Sequence, residues 1–145
     1  ESASSPSSTT SILFSLKKLY KSSKDSESIS KIINAIGNHD ESTAYPVNAI
    51  SAALILADKS DVRRSRVRQK DIASFDIHDR VNYAVSKKEI KFDGKEFTLI
   101  LEIDNSISSI LNYFEIFTKR MILCQRASEF LKIKFSLVIN GTKMI

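Results

Sequence analysis

Apolar residues recur at helical spacing in the first half of the chain and at alternate positions in much of the second. Ile12, Leu13, Leu16, Leu19 and Tyr20 share one helical face, with Lys17, Lys18 and Lys21 outside it. Ser22, Ser23 and Lys24 interrupt that helix. Ser26 caps a second one, in which Ile29, Ile32, Ile33 and Ile36 follow the i, i+3, i+4, i+7 spacing and Gly37 is the stop. Pro46 suits the first turn of a third helix, where a missing N–H leaves no intrahelical bond unmade. That helix carries Val47, Ile50, Ala53, Leu54 and Ala57, with Ala49 and Leu56 beside them, an apolar surface broad enough for a buried element. Asp58 to Lys70 either prolongs it or begins a loop or an edge strand.

Beyond residue 80 the period shortens to two. Val81, Tyr83 and Val85 alternate with polar or small residues, as do Ile90 and Phe92. Asp93-Gly94 then offers a tight turn, and Phe97, Leu99, Leu101 and Ile103 continue the alternation, which predicts an antiparallel hairpin over 88–104. Asn105 or Ser106 caps a long helix with a stripe of Ile107, Ile110, Leu111, Phe114, Phe117, Met121 and Cys124; Tyr113, Ile116 and Arg120 lie to one side. Leu131, Ile133, Phe135, Leu137 and Ile139 form a half-buried strand. Asn140-Gly141 is a second hairpin turn, so either the last strand is very short or the chain ends inside a larger domain.

Helices grouped ahead of strands predict an α+β fold, with N-terminal helices followed by a small antiparallel sheet packed against a long helix. Residues 1–10, rich in Ser and Thr, read as a disordered leader, and 11–145 as one domain. The chain opens on Glu1, so it reads as a fragment or a processed product, and its first residues lack the features of a signal peptide. Its 145 residues suit a single core, and no apolar run approaches the ~20 residues of a membrane span. A lone cysteine, Cys124, excludes an internal disulfide and any multi-cysteine zinc site and fits a reducing compartment, hence an intracellular (cytoplasmic or nuclear) and not a secreted protein.

Charge sharpens the picture by its location. Lys59, Arg63, Arg64, Arg66, Arg68 and Lys70 are opposed within that interval only by Asp61, so this stretch holds an excess equal to the whole chain's +5. As an extended strand it would set Arg64, Arg66, Arg68 and Lys70 on one edge about 6.6–7 Å apart, close to the spacing of successive phosphates. Arginine also binds phosphate oxygens bidentately. Arg63, Arg64, Arg66, Arg68 and Lys70 are therefore the candidate nucleic-acid or anion-binding residues. No aromatic residue interleaves with them, so affinity without base selectivity is expected. A solvated stretch paired with local acids, or a nuclear-import signal, reads the same residues differently.

Motifs for chemistry are sparse. Gly37, Gly94 and Gly141 are isolated, so no phosphate-binding glycine loop can be assembled and no nucleotide cofactor is expected. His39 and His78 each precede an aspartate, but adjacent side chains diverge, which disfavours mutual orientation. Two histidines and one cysteine show no zinc spacing. Cys124 falls on an apolar stripe, as a core residue does. Asp71, Asp76 and Asp79 have the hard ligands for Mg²⁺, yet their spacing suits a solvated turn, or partners for the preceding arginines, better. Asn140-Gly141-Thr142 matches a glycosylation acceptor that the turn already explains, and the serines of 22–27 lie beside acids as kinase acceptors do. No catalytic residue, metal or cofactor is assigned.

The expected function is that of a non-enzymatic structural or assembly protein. Ribonucleoprotein components and viral structural proteins share this profile, contacting nucleic acid through an arginine segment and protein subunits, including further copies, through other surfaces. A membrane-apposed matrix-like protein, with Lys17, Lys18 and Lys21 meeting anionic lipid, is the alternative. An enzyme with an unrecognised site is the third.

Overall fold

The computed structural model describes residues 26–68 and 71–145. The expected leader, the expected first helix with Lys17, Lys18 and Lys21, and Lys70 lie outside them. Among the described residues four helices, α1 (Ser26–Gly37), α2 (Ala49–Lys59), α3 (Ile77–Ala84) and α4 (Ile110–Phe130), accompany four strands, β1 (Val85–Phe92), β2 (Glu96–Ile103), β3 (Lys134–Ile139) and β4 (Thr142–Lys143). Short 3₁₀ turns occupy Arg64–Arg66 and Ile72–Ser74. The fold is α+β, with the long helix α4 packed on the sheet.

The strand order is β1-β2-β3-β4, and the sheet is mixed rather than purely antiparallel. The β1–β2 hairpin is antiparallel, with Ile90 opposite Leu99 and Phe92 opposite Phe97. β3 runs parallel to β2, Leu137 beside Leu99. The cause is the length of α4: its 21 residues span about 31 Å at 1.5 Å each. The chain leaving β2 is carried back past the start of that strand, so β3 sets out in the same direction. Leu99, Leu101, Leu137 and Ile139 on these central strands are fully buried, packed with Ala52 and Ile55 of α2 and Tyr113, Phe117 and Cys124 of α4.

Caps move three boundaries from their expected places. α2 starts at Ala49, not Pro46, because Asn48 Oδ1 accepts from Ser51 N at 2.9 Å while Ser51 Oγ accepts from Asn48 N at 3.0 Å. Its inward face is Ser51, Ala52, Ile55, Leu56 and Lys59, small enough at Ser51 and Ala52 for α4 to approach, and Val47 and Ile50 stand outward. Val81 and Tyr83 are helical rather than extended. Asp76 accepts from Asp79 N at 2.7 Å and nucleates α3, whose Val81 and Ala84 point inward, and the strand begins only at Val85. α4 is capped by Ser109, since Asp104 uses Ser106 N (2.9 Å) to form a preceding turn. Its buried face runs Tyr113, Phe117, Met121, Cys124, Ala127, whereas Leu111 is 77% exposed.

β4 spans two residues. Asn140 (φ 50°) and Gly141 (φ 79°) make the turn, and the Asn140 side chain extends the ladder by accepting from Ile103 N at 2.7 Å and donating to Ile103 O at 3.0 Å. Asn140→Gly keeps the backbone conformation and removes both bonds, so it should cost about 1–3 kcal/mol. The expected reading is a lower urea midpoint at unchanged m-value.

Candidate anion-binding turn

The arginine segment is anchored before it is exposed. Val62 is fully buried, and Arg63 N donates to the Asn82 side chain of α3 at 3.3 Å. Arg66 N and Val67 N then donate to the carbonyls of Arg63 and Arg64, both at 3.1 Å, closing the 3₁₀ turn. Among the described residues no strand lies alongside to hold these residues extended. The expected single edge of Arg64, Arg66 and Arg68 is therefore absent: Arg64 turns away to Tyr83, while Arg63, Arg66 and Arg68 line one hollow.

Arg64 folds over the Tyr83 ring, its guanidinium carbon 4.4 Å from the centroid, and donates from Nε to the Tyr83 carbonyl at 2.7 Å. Arg63 Nε lies 3.0 Å from Asp61 Oδ1, and Arg66 Nη1 lies 3.4 Å from Asp61 Oδ2 and donates to the Asp61 carbonyl at 3.0 Å. Lys88 of β1 reaches the same carboxylate at 3.1 Å. One carboxylate thus serves three cations. Arg68 is exposed and has no ion pair or hydrogen bond among the described residues. Arg63, Ser65, Arg66 and Arg68 line an open polar hollow of about 570 Å³ with Asp58 and Asp61.

The aspartates that follow have other work. Asp71 accepts from Ala73 N at 3.0 Å and Asp76 caps α3, and neither forms an ion pair with an arginine among the described residues. The Ser106 hydroxyl and amide hold the Asp104 carboxyl below its ordinary range, with Arg64 adding a smaller pull. The partner that matters, Asp61, sits within the basic run itself. Sequence counting registered it as a charge but could not show three cations converging on it.

The remaining candidates are dispersed. His39 Nδ1 lies 2.5 Å from the Ile36 carbonyl, and His78 meets Phe117 edge-on at 6.4 Å. Cys124 is fully buried, and burial pushes its thiol up to about 12. Among the described residues no cluster of His, Cys, Asp and Glu could hold a metal ion. No helix among them is long and apolar enough to cross a membrane.

Two features were not anticipated. A charge network sits where α2, α4 and the 38–44 loop meet: Lys59, its side chain only 5% exposed, lies 2.7 Å from Asp58, and Arg120 stacks over Phe117 while pairing with Glu41 at 3.3 Å. An apolar cleft of about 360 Å³ opens between Ala53 and Ala57 of α2, Ile90 and Phe92 of β1, and Ile133. The breadth of apolar surface on α2 was its signal, since one helix face serves the core and another the cleft.

Comparison of the chain with protein-family models, curated proteins and solved structures found no match.

Proposed function

We propose that this is a non-enzymatic structural or assembly protein of the cytoplasm or nucleus that contacts nucleic acid through Arg63, Arg66 and Arg68. The observation that carries this reading is the uneven balance around Asp61. Arg63, Arg66 and Lys88 share its one negative charge, and Arg68 beside them has no partner among the described residues. The hollow therefore retains a cation excess on an open surface, where phosphate oxygens can complete the guanidinium hydrogen bonds. Arg64, committed to Tyr83, steadies the turn and is not counted among the contacts. Among the described residues no aromatic lines the hollow to stack on a base, so binding is expected to follow backbone charge.

Fluorescence anisotropy with labelled single-stranded and duplex RNA and DNA tests this. Binding should weaken with added salt linearly in log–log form, and Arg66→Ala and Arg68→Ala should each reduce the slope by about 0.9 on duplex DNA and about 0.7 on single strands, one phosphate contact apiece. Absence of nucleic-acid binding at ~20 mM salt, or slopes untouched by both variants, overturns the proposal. Binding to anionic vesicles alone, lost on charge reversal at Lys17 and Lys18, would assign the chain to the membrane-apposed alternative instead.

A further inference from the structure

β1 is an edge strand: among the described residues only β2 pairs with it. Asp93 N donates to the Glu96 carbonyl at 3.4 Å, so Asp93 and Glu96 form a hydrogen-bonded pair at the hairpin end. Antiparallel pairs alternate in type. Lys91, Glu89 and Lys87 therefore spend their backbone groups on Thr98, Ile100 and Glu102. Those of Lys88, Ile90 and Phe92 point away from the sheet. Ile90 is 44% and Phe92 60% exposed on that same edge, beside the apolar cleft that they line. Such an edge invites another strand.

Its charges select which one. A second β1 running antiparallel about a two-fold axis at Ile90 sets Ile90 against Ile90 and Lys88 against Phe92 of the second copy, each pair placed to exchange backbone hydrogen bonds. In the same register Glu89 faces Lys91, and Lys87 faces Asp93. Opposite side chains in such pairs lie about 4.5–5.5 Å apart, close enough for these charges to attract. The neighbouring symmetric registers fail, the one centred on Phe92 because it runs past the end of β1 into the hairpin turn. Centring on Glu89 opposes the two Glu89 carboxylates and sets Lys87 on Lys91. Centring on Lys91 opposes two ammonium groups and sets Glu89 on Asp93. Centring on Lys88 opposes two lysines on the axis and leaves Phe92 uncovered. We propose that the chain forms a two-fold dimer through β1, in the register centred on Ile90, joining two four-stranded sheets into one and closing each apolar cleft on its open side. This rests on the edge alone and is independent of the arginine turn.

Sedimentation equilibrium of the full chain tests it. At ~100 µM the mass should approach twice 16.3 kDa. Glu89→Lys and Lys91→Glu each create like-charge oppositions, and each should weaken association at least ~10-fold; the double variant restores attraction and should restore the dimer. The two residues also pair within the strand at 3.6 Å, but Lys91 is exposed and Glu89 only half-buried, so the single variants should stay folded. Hydrogen exchange supplies a readout needing no variant. Amides of Lys88, Ile90 and Phe92 should gain protection as concentration rises, while those of Lys87, Glu89 and Lys91 are protected throughout. A monomeric mass across the range, a double variant no better than the singles, or concentration-independent exchange at Ile90 overturns the proposal.

Discussion

Phe117→Ala should remove about 3–5 kcal/mol of stability, a large part of the roughly 5–15 kcal/mol that holds a domain of this kind together. Phe117 is 2% exposed and meets Tyr113 edge-to-face at 5.3 Å, with the Arg120 guanidinium over its ring at 5.1 Å. Truncation loses the transfer energy of the ring and opens a cavity that neighbours from α2, α3 and α4 would have to fill. It also strips Arg120, itself only 19% exposed at the side chain, of its stacking surface. Leu111→Ala is the matched control. The two residues are about one and two-thirds turns apart on α4, and sequence periodicity places both on one stripe, yet Leu111 is 77% exposed and its loss should stay within about 0.5 kcal/mol. Urea denaturation separates the two. Equal costs would mean that α4 is rotated about its axis from the orientation described.

That contrast shows where the residue pattern was informative. Alternation over Phe97 to Ile103 determines a face unambiguously, since every second residue faces one layer, and the hairpin at Asp93-Gly94 followed from it. Helical stripes are less decisive when apolar residues exceed one face. α2 offers two, and only the position of α4 decides that Ile55 is buried and Ile50 is not. Val81, Tyr83 and Val85 fitted a strand as well as a helix over so short a run; the deciding signal was Asp76, a cap three residues before Asp79. The parallel β2–β3 pairing was implicit in the order strand, long helix, strand, but the helices grouped at the N-terminus outweighed it. The candidate site was legible as a composition and illegible as a geometry. Arg64 and Tyr83 are 19 residues apart, as are Arg63 and Asn82, and contacts of that kind curl the basic run into a turn that no local spacing rule describes.

Asp61→Asn should move stability and polyanion affinity in opposite directions. The carboxylate is 26% exposed and lies within 3.4 Å of Arg63, Arg66 and Lys88. An amide of the same shape keeps one acceptor oxygen but loses the charge, and Arg66 retains its bond to the Asp61 backbone carbonyl. The expected cost is about 1–3 kcal/mol, since hydrogen bonds to charged partners are worth more than an exposed ion pair and Lys88 is left partly buried. The same change raises the local charge by one and frees the Arg63 guanidinium and those Arg66 N–H groups that do not hold the Asp61 carbonyl. Nucleic acid should therefore bind about tenfold more tightly at low salt, with a log–log slope steeper by about 0.9. Anisotropy titrations of the variant beside its urea midpoint read both effects in one preparation. If affinity falls together with stability, the arginines belong to the fold, with Asp61 as their intended partner, and the polyanion reading fails. A gain in affinity despite a less stable protein would have a single physical origin: the guanidinium groups are held by Asp61 only loosely enough for phosphate to take its place.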